Sequence, residues 1–538
     1  MKRILPTAWT EREAWPNLAG GVASVVVALA LYTRYSIYGK LSRDEGIYTY
    51  SGQQMAHGLA PYASIVDPKA PGASMLAGLA AAVARLIGRN DVLMIRLVFF
   101  ACSVLTVLAI YLLVTRLWNS VLGGLAAAVV FASFEGFAQD ALAGPDAKTP
   151  GILFAVISLW LGVRRQWFWA AFAGSLALLV WQPFVIYALI PVIGAVVWSS
   201  AGRRWRALGL SVAGAATPVL LTVIYFAAEG ALGKFYEAAV LFPAEGVQRA
   251  PETLGHRIQV ITGVVRSSYH FSGALFWIGL VLLVAVAVVS IIGARSGWRA
   301  AVRDPLILLV MVTLLAQAAY SLYDFQGYPD VYPLLPYAAI GFGAAVALAA
   351  RRLKNPQARR GAAGAVLAAA TALTAVSWVW FSDSPENNHA MRSQRAAACA
   401  IKRIVLPGTS LYSLGDPNPF VLTGERSPDR YIYLGSGVDT WKVKHTKGGF
   451  AGWTAEIQAH HPSVVVVGIW RGPYRKPMDE WLTASGYLHG FVGWYGVYVT
   501  PQARLLMPRA GVRMTKASTL WPHTASGRRL TRTNCGKY

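Results

Sequence analysis

Apolar runs alternate with short polar segments along the first 381 residues of the chain. A helix needs about 20 mostly apolar residues to cross the hydrocarbon core of a bilayer. One run, at 167–198, is long enough for two short helices that break near Gln182 and Pro183. The pattern therefore predicts about eleven transmembrane helices. The runs lie at 18–38, 92–114, 120–134, 150–163, 167–198, 208–228, 274–293, 306–322, 334–350 and 361–381.

The basic residues between these runs fall on one side of the alternation. If the N-terminus is cytoplasmic, the Lys and Arg clusters between the spans are cytoplasmic as well, as the positive-inside rule requires. We therefore expect a multi-pass protein of the cell (inner or plasma) membrane with a cytoplasmic N-terminus. The extracytoplasmic face then receives four loops and the C-terminal part, at residues 39–91, 135–149, 229–272, 323–333 and 382 onward.

The sequence changes character after residue 381. Short β-rich runs at 463–467 and 492–499 are separated by Gly, Pro and Asp residues, a pattern typical of strands joined by turns. We expect a transmembrane domain at 1–381 and an extracytoplasmic α/β domain at 382–507. The last segment, 508–538, is basic, lacks apolar periodicity and is predicted to be disordered.

The composition agrees with a membrane protein. The chain is 55% hydrophobic and only 14% charged, whereas soluble domains carry about 25% charged residues. The net charge of +24 would suggest a nucleic-acid partner in a soluble protein. Here it is explained by topology signals and by contacts with anionic membrane lipids. The sequence also lacks a P-loop, a dinucleotide-binding fingerprint and an HExxH motif, which argues against soluble nucleotide chemistry.

Two adjacent acids, Asp44 and Glu45, follow the first predicted helix directly. A carboxylate at a membrane boundary is costly and usually faces a protein cavity. Either acid could cap a short interfacial helix. Alternatively, a partly desolvated carboxylate could act as a general base that takes a proton from an acceptor hydroxyl.

Two cations in the same region could meet a phosphate group. Lys69 lies between Pro68 and Ala70-Pro71 in a stiffened turn, and Arg96 opens the second apolar run. Together they could stabilise a phosphate leaving group. The alternatives are a surface lysine and an arginine that anchors its helix at the interface.

The other outer loops add acids, amides and aromatic rings. A solvated turn or an interfacial aromatic belt would explain many of them, although binding of a sugar uses the same residue types. No metal ligands are assigned and no cofactor is required, although two carboxylates beside a phosphate could hold a divalent cation. The candidate substrate-binding residues are Tyr48, Tyr62, Asp67, Asp140, Asp146, Asp324, Gln326, Tyr328 and Tyr332.

The order of these residues resembles the GT-C membrane glycosyltransferases. The resemblance is carried by Asp44-Glu45-Gly-x-Tyr48, Gly58-x-x-Pro61-Tyr62, Asp67-x-Lys69-x-Pro71, Arg96 and the late Tyr332 with Leu335-Pro336. The closest groups are the protein O-mannosyltransferases and the lipid A aminoarabinose transferases, glycosyltransferase families 39 and 83. The match covers the transmembrane part and is strong in the first outer loop and loose elsewhere.

The resemblance implies an α-helical polytopic membrane protein of the GT-C type with a C-terminal extracytoplasmic α/β domain. Such enzymes transfer a hexosyl or pentosyl group, with inversion, from a polyprenyl-phosphate donor on the outer face of the membrane. Asp44 would be the catalytic base with Glu45 as its neighbour, and Lys69 would contact the lipid phosphate. In the aminoarabinose branch an acid directly precedes that lysine, whereas Pro68 stands there in this chain.

The sequence does not say whether the acceptor is a lipid, a polysaccharide or a protein, because the shape of the pocket decides this and the pocket is built from several distant loops. Two other functions also remain. The chain could be a transporter or flippase for a lipid-linked or small polar substrate, although transporters usually show inverted repeats and polar groups near the midplane. It could also be a non-catalytic scaffold for assembly of the cell envelope.

Overall fold

The apolar runs form helices in the computed structural model, which describes residues 11–246, 253–293, 303–381 and 387–515. A one-turn 3-10 helix, Gln182–Phe184, marks the break between the two short helices expected at 167–198. The α-helices up to residue 292 are α1 (Glu11–Tyr32), α2 (Arg43–Met55), α3 (Gly72–Leu86), α4 (Asp91–Trp118), α5 (Val121–Ala132), α6 (Glu135–Ala143), α7 (Lys148–Val163), α8 (Trp167–Val180), α9 (Val185–Trp198), α10 (Ala201–Ala228), α11 (Leu232–Tyr236), α12 (Phe242–Glu245) and α13 (Leu254–Ile292). The helices from 312 to 380 are α14 (Val312–Tyr323), α15 (Leu335–Arg352) and α16 (Pro356–Trp380).

Among the described residues, six helical stretches are long and apolar enough to cross a membrane. The count rises to seven if α5 and α6, which meet at an angle of 72°, form one broken span. The other predicted spans are shorter apolar helices, for example α7 and α8. The chain is thus a multi-pass membrane protein, and each predicted run coincides with a helix.

The predicted outer loops contain more helix than the sequence pattern indicated. The first loop, 39–91, forms α2 and α3, which are too short to stand out as spans. The third loop, 229–272, contains α11, a π-helical turn at Glu237–Leu241, α12 and the first half of α13. That helix is kinked at His270, whose φ of 43° is non-helical. Its first half carries charged and polar residues such as Arg257 and Arg266, so it does not form part of an apolar run.

The C-terminal part forms a small mixed sheet with surrounding helices. Strands β1 (Ser410–Leu414) and β2 (Pro462–Val467) pair in parallel, and β4 (Tyr495–Val499) pairs antiparallel with β2 and with β3 (Leu488–Val492). The strand order is β1-β2-β4-β3. The single strand expected at 492–499 is instead a hairpin, because Gly493 adopts a positive φ of 58° and turns the chain. The helices of this part are α17 (Asn387–Arg403), α18 (Asn418–Thr423), α19 (Val438–His445), α20 (Gly449–Ala459), α21 (Arg475–Ala484) and α22 (Pro501–Leu506).

Most of the predicted disordered tail, from residue 516, lies outside the described residues. Residues 508–515 were also expected to be disordered, but the structure places Thr515 in a β-bridge with Phe491 of β3. Val512 of the same stretch lies in the apolar cluster of the C-terminal part, which helps to hold it on the edge strand β3.

The C-terminal part packs directly on the first outer loop. One apolar cluster contains Tyr50 and Val66 of that loop together with Phe420, Trp453 and Val464 of the C-terminal part. A second, larger cluster lies within the helix bundle. Since the first loop and the sheet share one core, both lie at the same end of the bundle.

Candidate functional site

The first outer loop forms a capped helix that orients the two adjacent acids differently. The Ser42 hydroxyl accepts a hydrogen bond from the backbone N–H of Glu45, and the Glu45 carboxylate accepts one from the backbone N–H of Ser42 at 3.1 Å. This is a capping box, in which the glutamate three residues after the cap turns back toward the helix start. Asp44 lacks this constraint and keeps a side chain that is 46% exposed.

Arg96 lies at the centre of this region and is completely buried. Its five N–H groups are directed at the carbonyl oxygens of Ile37, Gly39, Lys40 and Gly144 and at the carboxylate of Glu45, which is 3.4 Å away. A guanidinium has only five N–H donors. All five are used here to hold the loop, so a phosphate contact by Arg96, which stays a prediction, would require one of these bonds to break.

Glu45 belongs to the same structural unit. Burial raises its pKa, and the neighbouring Arg96 and the bonds from Ser42 oppose that rise. Because its Oε2 accepts from the backbone N–H of Ser42 and also lies 3.4 Å from the Arg96 guanidinium, Glu45 holds the start of α2 against α4. The capping alternative considered for the acidic pair is therefore realised by Glu45 and not by Asp44.

Lys69 has a different environment. Its ammonium group donates to the hydroxyl of Tyr48 at 2.7 Å and lies 3.8 Å from a carboxylate oxygen of Asp44. The side chain is 23% exposed. Burial alone would lower the pKa of Lys69, but Tyr48 and the acids Asp44, Asp67 and Asp146 raise it overall. The ammonium is thus charged, close to the surface and able to accept an anionic partner.

Asp44 is the carboxylate beside this ammonium. Burial would raise its pKa, yet the positive charges of Lys69, Arg43 and Lys148 outweigh this effect and lower it. Asp44 is consequently ionised at neutral pH. An ionised, partly exposed carboxylate next to a lysine can accept a proton once the lysine is drawn to another anion.

The turn that carries Lys69 is fixed by two further candidates from the first loop. Asp67 is buried, and its carboxylate accepts a hydrogen bond from the backbone N–H of Lys69 at 3.2 Å. Burial raises the pKa of Asp67 to about 6. Tyr62 has a positive φ of 64°, packs on Phe226 and donates to the carbonyl of Lys69 at 2.7 Å. Both residues support the lysine.

Candidates from the second and fourth loops meet each other. The Asp140 carboxylate accepts hydrogen bonds from the hydroxyls of Tyr332 at 2.7 Å and Tyr328 at 3.0 Å. Asp146 caps the turn before α7 by accepting from the backbone N–H of Lys148 at 2.7 Å. Its charge contributes to the raised pKa of Lys69, so the second loop lies within electrostatic range of the first.

Asp324 and Gln326 contact each other. The Gln326 amide donates to Asp324 at 3.1 Å, and Asp324 also accepts from Tyr320 of α14 at 3.3 Å. The backbone N–H of Gln326 also donates to Asp330, the partner of Lys148, and so connects this loop to the start of α7.

The sequence reasoning missed several residues around the lysine. Arg43 lies 3.3 Å from Asp44 and donates to the carbonyl of Ile469 in the C-terminal part. Gln182, which the sequence indicated only as a helix break, contacts the backbone on both sides of Lys69. Its signal was a lone amide in a long apolar run. The contact with Ile469 had no signal, because it joins residues 426 positions apart.

Metal ligation was left open by the sequence. Within the described ranges, no group of three or more His, Cys, Asp and Glu side chains could hold a metal ion. The two carboxylates nearest to Lys69 among the candidates are those of Asp44, beside its ammonium group, and Asp67, which accepts from its backbone N–H.

This arrangement of bundle, juxtamembrane helices and C-terminal sheet is the fold of the GT-C glycosyltransferases, which confirms the predicted fold class. ArnT from Cupriavidus metallidurans in the apo state matches with a TM-score of 0.58 and 16% identity, over 89% of this chain and 97% of that chain. The undecaprenyl phosphate-bound form of ArnT matches with a TM-score of 0.55 and 14% identity over the same shares. ArnT is a lipid A aminoarabinose transferase.

An oligosaccharyltransferase from Archaeoglobus fulgidus also matches, with a TM-score of 0.54 and 13% identity, over 94% of this chain and 74% of that chain. No protein-family model and no curated protein matches the sequence. The likeness thus lies in the fold, at sequence identities of 13–16%.

Proposed function

We propose that this protein is an inverting glycosyltransferase that moves a sugar from a polyprenyl-phosphate donor to a cell-envelope acceptor. The observation that carries the proposal is the pair formed by Lys69 and Asp44, 3.8 Å apart at the exposed edge of the first outer loop. A single displacement at the anomeric carbon needs a held acceptor, a proton acceptor and a stabilised phosphate. The pair supplies the last two within a GT-C fold, and one solved relative is bound to undecaprenyl phosphate.

In the proposed reaction the acceptor hydroxyl oxygen attacks the anomeric carbon as the bond from that carbon to the phosphate oxygen breaks. The bonding electrons leave with the polyprenyl phosphate, and the Lys69 ammonium stabilises the charge that develops there. The hydroxyl proton passes to the Asp44 carboxylate. Attack on the face opposite the leaving group inverts the anomeric centre.

Binding of the donor would activate the base. Without a donor, the ammonium of Lys69 contributes to the lowered pKa of Asp44. A phosphate that attracts this ammonium competes with Asp44 for it and brings a negative charge close by. Both changes favour the protonated form of Asp44, so the carboxylate becomes a stronger base when the donor is in place.

We further propose that the reaction takes place on the extracytoplasmic face. The distribution of basic residues supports a cytoplasmic N-terminus, and the first loop shares its apolar core with the C-terminal part. In this arrangement residues 1–381 form the transmembrane domain, and residues 382–507 form an extracytoplasmic domain beside the acceptor. The acceptor is a lipid, polysaccharide or protein of the envelope.

The test uses purified protein in nanodiscs with a panel of radiolabelled polyprenyl-phosphate sugars, and release of polyprenyl phosphate is measured. The wild type should turn over at least one donor, and Asp44→Asn should lower the rate by about 100-fold or more, as expected for loss of a general base. Glu480→Gln is the matched control. Glu480 pairs with Lys476 at 3.7 Å on the surface of α21, nearly the separation in the Lys69–Asp44 pair.

Turnover that Asp44→Asn retains in full would contradict the proposal. If the wild type moved a donor across the bilayer without cleaving it, a transporter would replace the enzyme. Retained envelope function in cells carrying an Asp44→Asn protein without turnover would point to a scaffold.

A further inference from the structure

A single glutamine side chain holds the backbone on both sides of Lys69. The Gln182 amide oxygen accepts a hydrogen bond from the backbone N–H of Ala70 at 3.1 Å. Its amide nitrogen donates to the carbonyl of Pro68 at 2.9 Å. The glutamine lies between α8 and α9, in the one-turn helix Gln182–Phe184, and thus connects the Lys69 turn to the helix bundle.

These bonds complete the hydrogen bonding of the turn. Asp67 accepts from the N–H of Lys69, and Tyr62 donates to its carbonyl oxygen. With the two bonds from Gln182, each of the four backbone polar groups from the carbonyl of Pro68 to the N–H of Ala70 has a partner. Buried polar groups need partners, but here the partners also determine where the ammonium stands. Catalytic groups must be held to within a fraction of an ångström for full effect.

The second N–H of the same amide forms a third hydrogen bond, outside the turn. It is directed at the carbonyl of Ala239, 3.3 Å away, in the π-helical turn Glu237–Leu241. The Glu237 carboxylate in that turn accepts hydrogen bonds from Arg430 at 2.6 Å, Tyr431 at 3.1 Å and the Trp441 indole at 3.3 Å. These three residues belong to the C-terminal part. Gln182 therefore stands between the lysine and the segment that docks the C-terminal part.

We propose that Gln182 is a positioning residue for the Lys69 ammonium. Through Ala239 and Glu237 it also couples binding of the donor phosphate to docking of the C-terminal part. The inference rests on the proposed function, since it gives the ammonium a phosphate to bind. It assigns the task to a side chain whose hydrogen bonds all go to backbone groups. A glutamine that served only to satisfy a helix break would affect stability but not the lysine.

The experiment replaces Gln182 with methionine, which has a similar length and cannot form these hydrogen bonds. In nanodiscs, the Kd of a polyprenyl phosphate and the KM for the sugar donor should each rise about tenfold or more, because at least two hydrogen bonds to the turn are lost. The kcat at saturating donor should change less, since Asp44 is untouched. Gln458→Met, on the exposed side of α20 and away from the Lys69 turn, is the control for the same chemical change.

Hydrogen exchange supplies a readout that does not depend on catalysis. In Gln182→Met the amide of Ala70 should exchange faster, together with its neighbours in 66–72, while the amides of β2 keep their protection. Unchanged exchange in 66–72 would overturn the proposed clamp. Faster exchange with an unchanged Kd would overturn its role in phosphate binding. If the wild type binds no polyprenyl phosphate, the proposed function fails, and the exchange result still decides whether Gln182 holds the turn.

The coupling to the C-terminal part has its own test. Glu237→Gln should weaken polyprenyl phosphate binding in the same direction as Gln182→Met, but by a smaller factor. If the signal passes through Gln182, the double variant should lose less affinity than the product of the two single effects. Fully independent effects would overturn the coupling and leave Gln182 as a local clamp.

Discussion

Arg96 and Lys69 are two cations of the same region with opposite surroundings. Every N–H of the Arg96 guanidinium is used by backbone carbonyls and by Glu45, and the side chain is fully buried. The Lys69 ammonium has one hydrogen bond, to Tyr48, and reaches the surface. A cation can bind a ligand only if it keeps an unused donor that the ligand can reach. By this criterion Lys69 is the better candidate of the two for the proposed phosphate contact.

The adjacent acids differ in the same way. Glu45 accepts a hydrogen bond from the helix cap and pairs with Arg96, whereas Asp44 faces Lys69 and remains partly exposed. The region is thus divided into an inner pair, Glu45 with Arg96, and an outer pair, Asp44 with Lys69. The inner pair holds the loop on the bundle, and the outer pair is available for chemistry.

Breaking the inner pair should have the largest effect on folding. Arg96→Met leaves Glu45 as a buried, unpaired carboxylate and removes the donors from four carbonyl oxygens. Loss of one partner of a buried ion pair typically costs about 3–5 kcal/mol. We expect a lower melting temperature in detergent and a poor yield of folded protein. A variant that melts like the wild type but fails to bind polyprenyl phosphate would instead make Arg96 a ligand.

Removing the outer cation should impair activity and leave folding intact. Lys69→Met should reduce turnover by about 100- to 1,000-fold, the usual effect of losing one group that stabilises developing charge. The melting temperature should stay close to that of the wild type, because the lysine forms a partly exposed ion pair and such pairs contribute about 0–1 kcal/mol. Lys476→Met, which breaks the surface pair with Glu480, is the matched control and should leave turnover unchanged.

The buried carboxyl group of Asp67, which accepts from the backbone N–H of Lys69, should make the free energy of unfolding depend on pH. Asp67 has a pKa raised from 3.8 to about 6 by burial, so its contribution to stability is complete below pH 4 and is lost as the pH rises through 6. Asp67→Asn should remove this loss and stabilise the protein at pH 7 by at most about 3 kcal/mol. The gain should vanish near pH 4. Thermal unfolding at both pH values measures it, and a gain that is equal at both would contradict the assignment.

The smallest effect concerns the inner acid. Glu45→Gln preserves the length of the side chain and a hydrogen-bond acceptor for the cap, but it removes the charge opposite Arg96. The expected cost is about 2 kcal/mol, as for a hydrogen bond to a charged group. Turnover per folded molecule should persist. A Glu45→Gln protein that folds normally but loses turnover would place Glu45 in the reaction and contradict the division into two pairs.

The helices of the apolar runs and the fold class could be predicted from the sequence because apolar runs of sufficient length and the order of motifs in the first loop are local signals. Gln182-Pro183 even marked the break at the correct place. The partners of Arg96 could not be predicted, since four of its five acceptors are backbone carbonyls, which any residue provides. The hairpin at Gly493 could not be predicted either, because a positive φ there interrupts a run whose composition is typical of one continuous strand.

The role of the outer pair is the part of the account that a direct measurement can decide. Binding of a polyprenyl phosphate to the wild type, Lys69→Met and Lys476→Met in nanodiscs at constant salt isolates the contribution of one ammonium group. We predict that the wild type and Lys476→Met bind equally well and that Lys69→Met loses affinity by about tenfold or more, as for a charge-assisted contact. Equal affinity of all three proteins would contradict the assignment of Lys69 as the phosphate ligand.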